Sequence, residues 1–403
     1  MINEESILEL HPLSSRPEGD EEILIGRMDT GDYIVLPSVA RIVIDELNSG
    51  KTIREADQSI EEKLGEKVDV SSFIEDVLQE YGFIYKIDGN IISDRVSNKR
   101  IFPFFTDGVS KFFFNRYTLS GFLICFVIAI LICILNHTYV PVYSDIFFSE
   151  SYTTSLIGTT IASWTFLFLH EIAHLMAARS SGMDSRFSIS HRLVFLVVET
   201  DMSNIVLLDK RYRYKALLAG LALDGFFLGI GIFIISLNDW FSFGFPVYLT
   251  GIIRMLNVVL VLRMAFQFLF FMKTDIYYVF TNLFNCRNLL HNTRLYVYQI
   301  IPKLKTRLEE EWKLVDEHEK KIVKWYAYFF ILGSVLAVYL FAMYILPQTF
   351  TIISGTIQNI TKYSITTAPF WDGIILIVMM LIPLVLLCYS WLRSYRTRKL
   401  QNA

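Results

Sequence analysis

The sequence predicts a mainly α-helical, polytopic membrane protein of about six transmembrane helices, with a small α+β domain at its N-terminus. The chain has 403 residues, of which 53% are hydrophobic, and this is too apolar for a soluble enzyme of that length. Six apolar segments are long enough to cross a bilayer. Residues 1–90 differ from the rest, because they are acidic and show the alternation and turns of a soluble domain.

Residues 1–90 are predicted to form a winged-helix-like domain of short strands and three helices. Ile23–Arg27 and Tyr33–Leu36 are apolar runs on either side of a glycine-containing turn, which is typical of two paired strands. Three helices are predicted after them: from Ser38 to Leu47, from a Thr52–Glu55 capping box onward, and over Val70–Tyr81.

This order of strands and helices, over nearly all of residues 5–88, resembles the PqqD-like precursor-recognition domain of peptide-modifying systems. The resemblance implies a groove between the strand Asp32–Leu36 and the helix Val70–Tyr81, in which a leader peptide adds to the sheet as an extra strand. The residues that it assigns to leader binding are Tyr33, Val35, Phe73 and Val77.

Two other interpretations of the N-terminal domain are a DNA-binding winged helix and a module that only assists folding. The third predicted helix carries Glu75, Asp76 and Glu80. These carboxylates would repel phosphate groups, so no nucleic-acid partner is expected.

The orientation of the six apolar segments follows from the charges of their connections. The segments cover approximately residues 119–136, 153–177, 215–237, 247–272, 324–346 and 370–392. Lysine and arginine are absent from 137–152 and 238–246 and occur once, at Lys362, in 347–369, whereas the other connections and the C-terminal tail are basic. The positive-inside rule therefore predicts that both termini are cytoplasmic. The N-terminus lacks a basic and an apolar region, which predicts no secretory signal.

The predicted membrane segments divide residues 91–403 into four parts. We expect an interfacial linker at 91–118, a membrane core at 119–284, a cytoplasmic charged helical segment at 285–323, and a C-terminal helix pair with a basic tail at 324–403. The expected location is the cytoplasmic membrane of a bacterium. Four cysteines without CxxC spacing indicate no disulfide framework.

The motif His170-Glu171-Ile-Ala-His174 lies in the second apolar segment, where ionisable residues are costly and usually functional. Histidines four positions apart share one face of a helix, so both can bind one zinc ion while Glu171 serves as the general base. The alternative is a pair of core histidines that hydrogen-bond within the protein. In the predicted topology, the motif is in the cytoplasmic half of its helix.

A catalytic zinc ion needs a third protein ligand, with one position left for water. Two aspartates have a suitable depth in the predicted topology. Asp275 follows the fourth apolar segment, and Asp224 lies within the third. Depth alone does not choose between them.

The second to fourth apolar segments resemble the site-2 protease family of membrane-embedded zinc metalloproteases, in its peptide-processing branch. The resemblance rests on the His-Glu-x-x-His motif, on Gly220-Leu-Ala-Leu-Asp224, and on Gln267 eight residues before Asp275-Ile-Tyr-Tyr. It implies Asp275 as the third ligand of one catalytic Zn²⁺, and Asp224, Gly220 and Gln267 as substrate-binding residues. The chain lacks the proline of the family's Gly-Pro pattern and the glycine after the aspartate. For Asp224, orientation of the ligands and a buried polar link between helices stay open as further roles.

Residues 186–205 are predicted to form a β-hairpin-like insertion, because the sequence from Arg186 onward alternates and is rich in β-branched residues. The family resemblance implies a strand at the mouth of the active site that pairs with an extended substrate. His191 is the lone histidine of this insertion and is interpreted as structural or solvated.

Together these interpretations predict a membrane-embedded zinc endopeptidase. It would recognise the leader of a ribosomally made precursor peptide, such as a bacteriocin or a signalling peptide, and cleave it near the cytoplasmic membrane face. A peptide-modifying enzyme or an exporter is a further expected partner, besides the lipid bilayer. Two alternatives stay open: a regulatory site-2 protease acting on a membrane-bound transcription regulator or a signal-peptide remnant, and a non-catalytic component of peptide export or immunity.

Overall fold

The chain is mainly helical and forms two compact units. The computed structural model describes residues 2–19, 21–65, 67–93, 102–149, 151–192, 195–299, 310–340, 342–343 and 346–401. The first unit contains the N-terminal part up to Thr106, together with Gly182–Arg186 and Met202–Tyr212. The second unit contains Asp107–Ser181, Phe187–Asp201 and the chain from Arg213 onward.

The N-terminal part of the first unit contains two small antiparallel sheets. Its strands are β1 (Leu8–Leu10), β2 (Leu13–Pro17), β3 (Glu22–Arg27), β4 (Asp32–Pro37), β5 (Ile84–Ile87) and β6 (Asn90–Ile91). One sheet has the order β2-β3-β4 and the other β1-β5-β6. The predicted pairing of the two strands around the glycine turn is confirmed, with Arg27 opposite Asp32. Within the described residues β4 is an edge strand, because it pairs with β3 alone.

Three helices complete this part: α1 (Val39–Leu47), α2 (Ile53–Leu64) and α3 (Val70–Phe73), which continues as a π-helix over Ile74–Gln79. The predicted capping box is present at the start of α2, where the Thr52 and Glu55 side chains each accept a backbone N–H of the other residue.

The third helix differs from the regular α-helix that the sequence predicts over Val70–Tyr81. Its core residues Val70, Ile74 and Leu78 recur every four positions and are at most 3% exposed. A spacing of four exceeds the 3.6 residues of an α-helical turn. The wider π turn keeps all three side chains directed into the core.

The remaining elements follow the predicted apolar segments in order. The helices are α4 (Asp107–Phe113), α5 (Arg116–Leu135), α6 (Tyr152–Ser180), α7 (Lys210–Leu217), α8 (Ala219–Phe241), α9 (Val247–Phe266), α10 (Asp275–Phe284), α11 (Leu289–Tyr298), α12 (Glu317–Leu340), α13 (Leu346–Lys362) and α14 (Ala368–Gln401). Between α6 and α7, the strands β7 (Arg186–Arg192) and β8 (Phe195–Asp201) form a two-stranded sheet.

Five helical stretches among the described residues are long and apolar enough to cross a membrane. They are Asp107–Leu135, Thr153–Ser180, Ala219–Phe241, Val247–Phe266 and Glu317–Tyr339. The sixth predicted segment lies within α14, where the described residues contain a shorter apolar helix, Pro369–Ile382. The connection before it contains α13, a helix in a stretch treated as a loop in the sequence.

The fourth apolar segment ends earlier than its hydropathy indicates. The sequence predicts it over 247–272, but α9 ends at Phe266, and a short 3₁₀ turn at Phe270–Met272 follows. Lys273 then adopts the left-handed conformation, with φ of 54°. Apolar side chains continue past the end of the helix, so hydropathy does not mark the turn.

Helix α8 lies at the centre of the second unit and packs against α5, α6 and α9. Leu228, Ile232 and Ile235 of α8 are buried in the shared core, where they recur at the i, i+4, i+7 spacing of one helix face. This packing brings the predicted site residues of α6 and α8 beside each other.

Candidate metal centre

Three predicted ligands meet in the second unit. His170 and His174 lie one turn apart in α6, and each is 1% exposed. Asp275 is the first residue of α10. One ligand atom of each residue lies within 4.8 Å of the others, so the three could hold a metal ion.

The distances between these atoms fit a small cation. Asp275 Oδ2 is 2.8 Å from His170 Nε2 and 3.1 Å from His174 Nε2. Zinc bonds of about 2.0–2.2 Å at tetrahedral angles place ligand atoms roughly 3.4 Å apart. The cluster is therefore slightly tighter than a filled site and has the donor types that zinc prefers, two imidazoles and a carboxylate.

The other ring nitrogens indicate where the histidine protons lie. His174 Nδ1 is 2.7 Å from the carbonyl oxygen of Ala216, and His170 Nδ1 is 2.7 Å from Asp224 Oδ2. Both partners are acceptors, so each Nδ1 donates its hydrogen. If both rings are neutral, the lone pairs of the two Nε2 atoms face the Asp275 carboxylate. Two ring nitrogens and one carboxylate oxygen, all hydrogen-bond acceptors, can lie this close only with a cation or an added proton between them.

Asp275 is held in place by the turn between α9 and α10. Its backbone N–H donates to Gln267 Oε1 at 3.0 Å, and the Thr274 hydroxyl donates to the Gln267 carbonyl at 2.6 Å. Burial raises the pKa of the Asp275 carboxyl. When the His174 and His170 rings are protonated, their charges and hydrogen bonds lower this pKa by more, to below its ordinary value. The carboxylate form of Asp275 is the one that can bind a metal ion.

Glu171 lies next to the two histidines on α6 and is 9% exposed. Its Oε2 accepts the backbone N–H of Thr200 at 2.7 Å, and its carbonyl accepts the Thr200 hydroxyl at 2.9 Å. Thr200 belongs to β8, so that strand lies directly beside the predicted general base. Sequence reasoning missed Thr200, because the bond to the carboxylate comes from a backbone atom.

Asp224 and Asp275, the two carboxylates left open as third ligand, occupy opposite edges of the His170 ring. Asp275 faces both Nε2 atoms, whereas Asp224 faces Nδ1 of His170. The structure therefore groups Asp275, and not Asp224, with the two histidines. Asp224 is 1% exposed.

Gly220 and Gln267, assigned to substrate binding by the resemblance, both lie against His170. A Cβ atom at Gly220 would be 2.4 Å from His170 Nε2, so a side chain at this position would force the ring to move. Gln267 Nε2 is 3.5 Å from the same nitrogen. Both residues thus shape the surroundings of His170.

The four predicted leader-binding residues belong to the first unit. Tyr33 and Val35 are half-buried on β4, and the Tyr33 hydroxyl donates to Asn204 Oδ1 at 2.7 Å. Phe73 and Val77 are half-buried in α3 and its π-helical continuation and pack against the hydrophobic core. Sequence reasoning missed Asn204, which also donates to the carbonyls of Met28 and Asp184. No motif marks it.

Two further histidines of the second unit are His191 and His318. The side chain of His191 lies outside the described residues. His318 Nε2 is 3.0 Å from the Phe284 carbonyl, which is a structural hydrogen bond between α10 and α12.

Comparison with family models, with curated proteins and with solved structures finds no match for this chain. The class of protein is therefore defined by the fold and the site alone. It is a mainly helical protein with a small N-terminal sheet domain, a candidate His-His-Asp metal centre and, within the residues that the structure describes, five candidate membrane-spanning helices.

Proposed function

We propose that this protein is a membrane-embedded zinc endopeptidase that cleaves a ribosomally made precursor peptide. The single observation that carries the proposal is that Asp275 meets His170 and His174, which lie with Glu171 in a candidate membrane-spanning helix. Two histidines and one carboxylate are a ligand set found in catalytic zinc sites, in which a fourth position serves water or substrate.

The proposed roles follow from the atoms that face each other. His170 Nε2, His174 Nε2 and an Asp275 oxygen would hold the ion. When bound in such a site, zinc activates water and polarises a peptide carbonyl. The Glu171 carboxylate accepts a proton from the attacking water and returns it to the leaving amine. Because Glu171 and both histidines lie in α6, one helix fixes their relative positions.

The proposal includes six spans, of which α14 would supply the sixth, and a winged-helix-like N-terminal domain of the PqqD type. Loop charges support cytoplasmic termini. A site in the cytoplasmic half of α6 would then be reached from the cytoplasm or the inner leaflet of a bacterial membrane.

Leader recognition by the N-terminal domain is supported by β4. Edge strands offer unpaired backbone groups to an added peptide strand, and β4 pairs with β3 alone among the described residues. Because one chain carries both units, a peptide held by its leader gains an effective concentration in the millimolar range at the metal site, as in other short-linker systems.

The proposal predicts that the purified protein binds one zinc ion and cleaves a precursor peptide. Full-length protein in detergent would be incubated with peptides encoded beside its gene, and products would be identified by mass spectrometry. Glu171→Gln should retain zinc and lose about a hundredfold or more in rate, because a missing general base costs that much. His174→Ala should lose both zinc and cleavage.

The same assay distinguishes the alternatives. Removal of the leader from the peptide should raise KM and leave kcat unchanged, because the leader contributes only binding. Equal cleavage with and without a leader would favour a regulatory protease. Zinc binding without cleavage of any peptide would favour a non-catalytic component, and undiminished cleavage by Glu171→Gln would refute the assigned base.

A further inference from the structure

Asp224 is a buried carboxylate within a candidate membrane-spanning helix. It lies in α8, and its side chain is 1% exposed. Taking a carboxylate out of water costs several kcal/mol unless hydrogen bonds and opposite charge compensate it. Residues of this kind in apolar segments therefore have a partner and usually a function.

Two neighbouring helices supply the partners of Asp224. His170 Nδ1 of α6 lies 2.7 Å from Asp224 Oδ2, and Arg263 Nε of α9 lies 3.7 Å from the same oxygen. The Arg263 side chain is itself 17% exposed. One carboxylate oxygen thus joins a cation on α9 to a candidate metal ligand on α6, and α8 packs against both helices.

The two candidate histidine ligands differ in the group that accepts the hydrogen bond from Nδ1. His174 Nδ1 donates to the backbone carbonyl of Ala216, which is a neutral acceptor that no substitution removes. His170 Nδ1 donates to a carboxylate. A charged acceptor makes the stronger hydrogen bond, fixes the ring orientation and raises the basicity of the other nitrogen.

We infer that Asp224 is a positioning residue, which orients His170 with Nε2 toward Asp275, and that Arg263 supplies the charge that compensates the carboxylate. The inference rests on the proposed function in one respect, that the three ligands hold a metal ion. It requires no peptide cleavage. It also differs from the substrate contact that the family resemblance implies, because it assigns the Asp224 carboxylate to two side chains of the protein, His170 and Arg263.

The first test is the zinc affinity of Asp224 variants. The dissociation constant would be measured on the full-length protein in detergent, by competition with a chromophoric chelator. Asp224→Ala should weaken zinc binding about 10–100-fold, the usual loss when a carboxylate behind a histidine ligand is removed. Asp224→Asn keeps an oxygen acceptor at that position and should weaken it less. Asp239→Asn, an exposed carboxylate on the same helix, should leave it unchanged.

The second test is a double-mutant cycle with Arg263. Arg263→Gln should weaken zinc binding when Asp224 is present, because it removes the compensating charge. In the Asp224→Asn background the same substitution should have little effect, since a neutral amide needs no cation. A merely structural arginine would lower the affinity equally in both backgrounds. Absorption of the Co²⁺-substituted protein would report a change of ligand geometry independently of activity.

The outcomes separate this inference from the proposed function. Asp224→Ala within twofold of the wild-type zinc affinity, or additive effects in the cycle, would overturn the positioning role. If Asp224→Ala does not fold, the Asp224→Asn cycle decides alone. Zinc binding that follows the expected pattern, without cleavage of any peptide, would leave the positioning role intact and refute the endopeptidase. Absence of zinc binding by the wild type would refute both.

Discussion

At the scale of the residue, the His170 ring is confined on three sides. Asp224 holds its Nδ1, Asp275 faces its Nε2, and the backbone of Gly220 lies against the ring face. A ring that is confined in this way keeps one orientation, which is what a metal ligand requires. Because Gly220 has no side chain, its backbone can lie this close to the ring.

Gly220→Ala should therefore weaken zinc binding by about tenfold or more, because the new Cβ would meet three His170 ring atoms at 2.4–2.6 Å and the ring must turn. Alanine is otherwise the better helix former by about 1 kcal/mol, so a loss would not come from the helix itself. Competition with a chromophoric chelator would measure the dissociation constant. Gly121→Ala, where a Cβ meets open space, is the matched control, and equal dissociation constants for both variants would contradict the expectation.

The residues that the sequence predicts best are those whose chemistry depends on spacing within one helix. His170, Glu171 and His174 follow from one short motif, in which the two histidines are four positions apart. The choice of Asp275 as third ligand required a family resemblance. Its approach to the two histidines depends on a turn that begins at Gln267, and the sequence stays apolar through that turn. Ala216 acts through its backbone carbonyl, and Thr200 reaches the Glu171 carboxylate through its backbone N–H. Backbone atoms have no signature in a sequence.

At the scale of the element, the junction of α1 and α2 is stabilised by one buried carboxylate. Glu46, at the end of α1, bonds to Lys51 at 2.6 Å and to Lys63 of α2. Hydrogen bonds from Lys51, Lys63 and Ser59 lower the pKa of Glu46 from 4.5 to about 2. The ionised form is thus the one that the folded domain stabilises.

This shift gives a pH-dependent contribution to stability. A carboxyl whose pKa is lower in the folded state stabilises the fold above its unfolded pKa of 4.5, and the effect fades as the pH falls toward about 2. Glu46→Gln should therefore lower the melting temperature at pH 7, with a difference that shrinks steadily below pH 4.5. Calorimetry of the full-length protein in detergent would measure it. Glu62→Gln, an exposed carboxylate on α2, should show no such difference, and a constant difference for Glu46→Gln at all pH values would exclude the ion pairs as its cause.

The helices and strands that could be predicted are those specified by a short stretch of sequence. The β3–β4 pair and the capping box of α2 are specified within a few residues, and both are present as predicted. The π-helix over Ile74–Gln79 depends on the core against which it packs, and the end of α9 at Phe266 depends on contacts made by Gln267. Such tertiary effects are not visible in periodicity or hydropathy.

At the scale of the whole molecule, the distribution of basic residues gives a testable topology. The connections 137–152 and 238–246 lack lysine and arginine, whereas the C-terminal tail is basic. An epitope tag inserted in the Ser242–Phe245 loop should be removed by protease added to cells with a permeabilised outer envelope, because positive-inside orientation places that loop outside. A tag at the C-terminus, as the control, should be cleaved only after the inner membrane is opened. The reverse pattern would contradict cytoplasmic termini and the proposed access to the site.

The position of Asp275 along the chain has a further consequence for the stability of the protein. It lies 101 residues along the chain from His174. An ion bound by both residues would act as a reversible cross-link that closes a loop of that length, and a permanent link over about a hundred residues removes roughly 4–5 kcal/mol of chain entropy from the unfolded state. A reversible link contributes according to its affinity and the concentration of free ion. On the proposed function, zinc starvation would therefore shorten the lifetime of the protein in the cell as well as stop its chemistry.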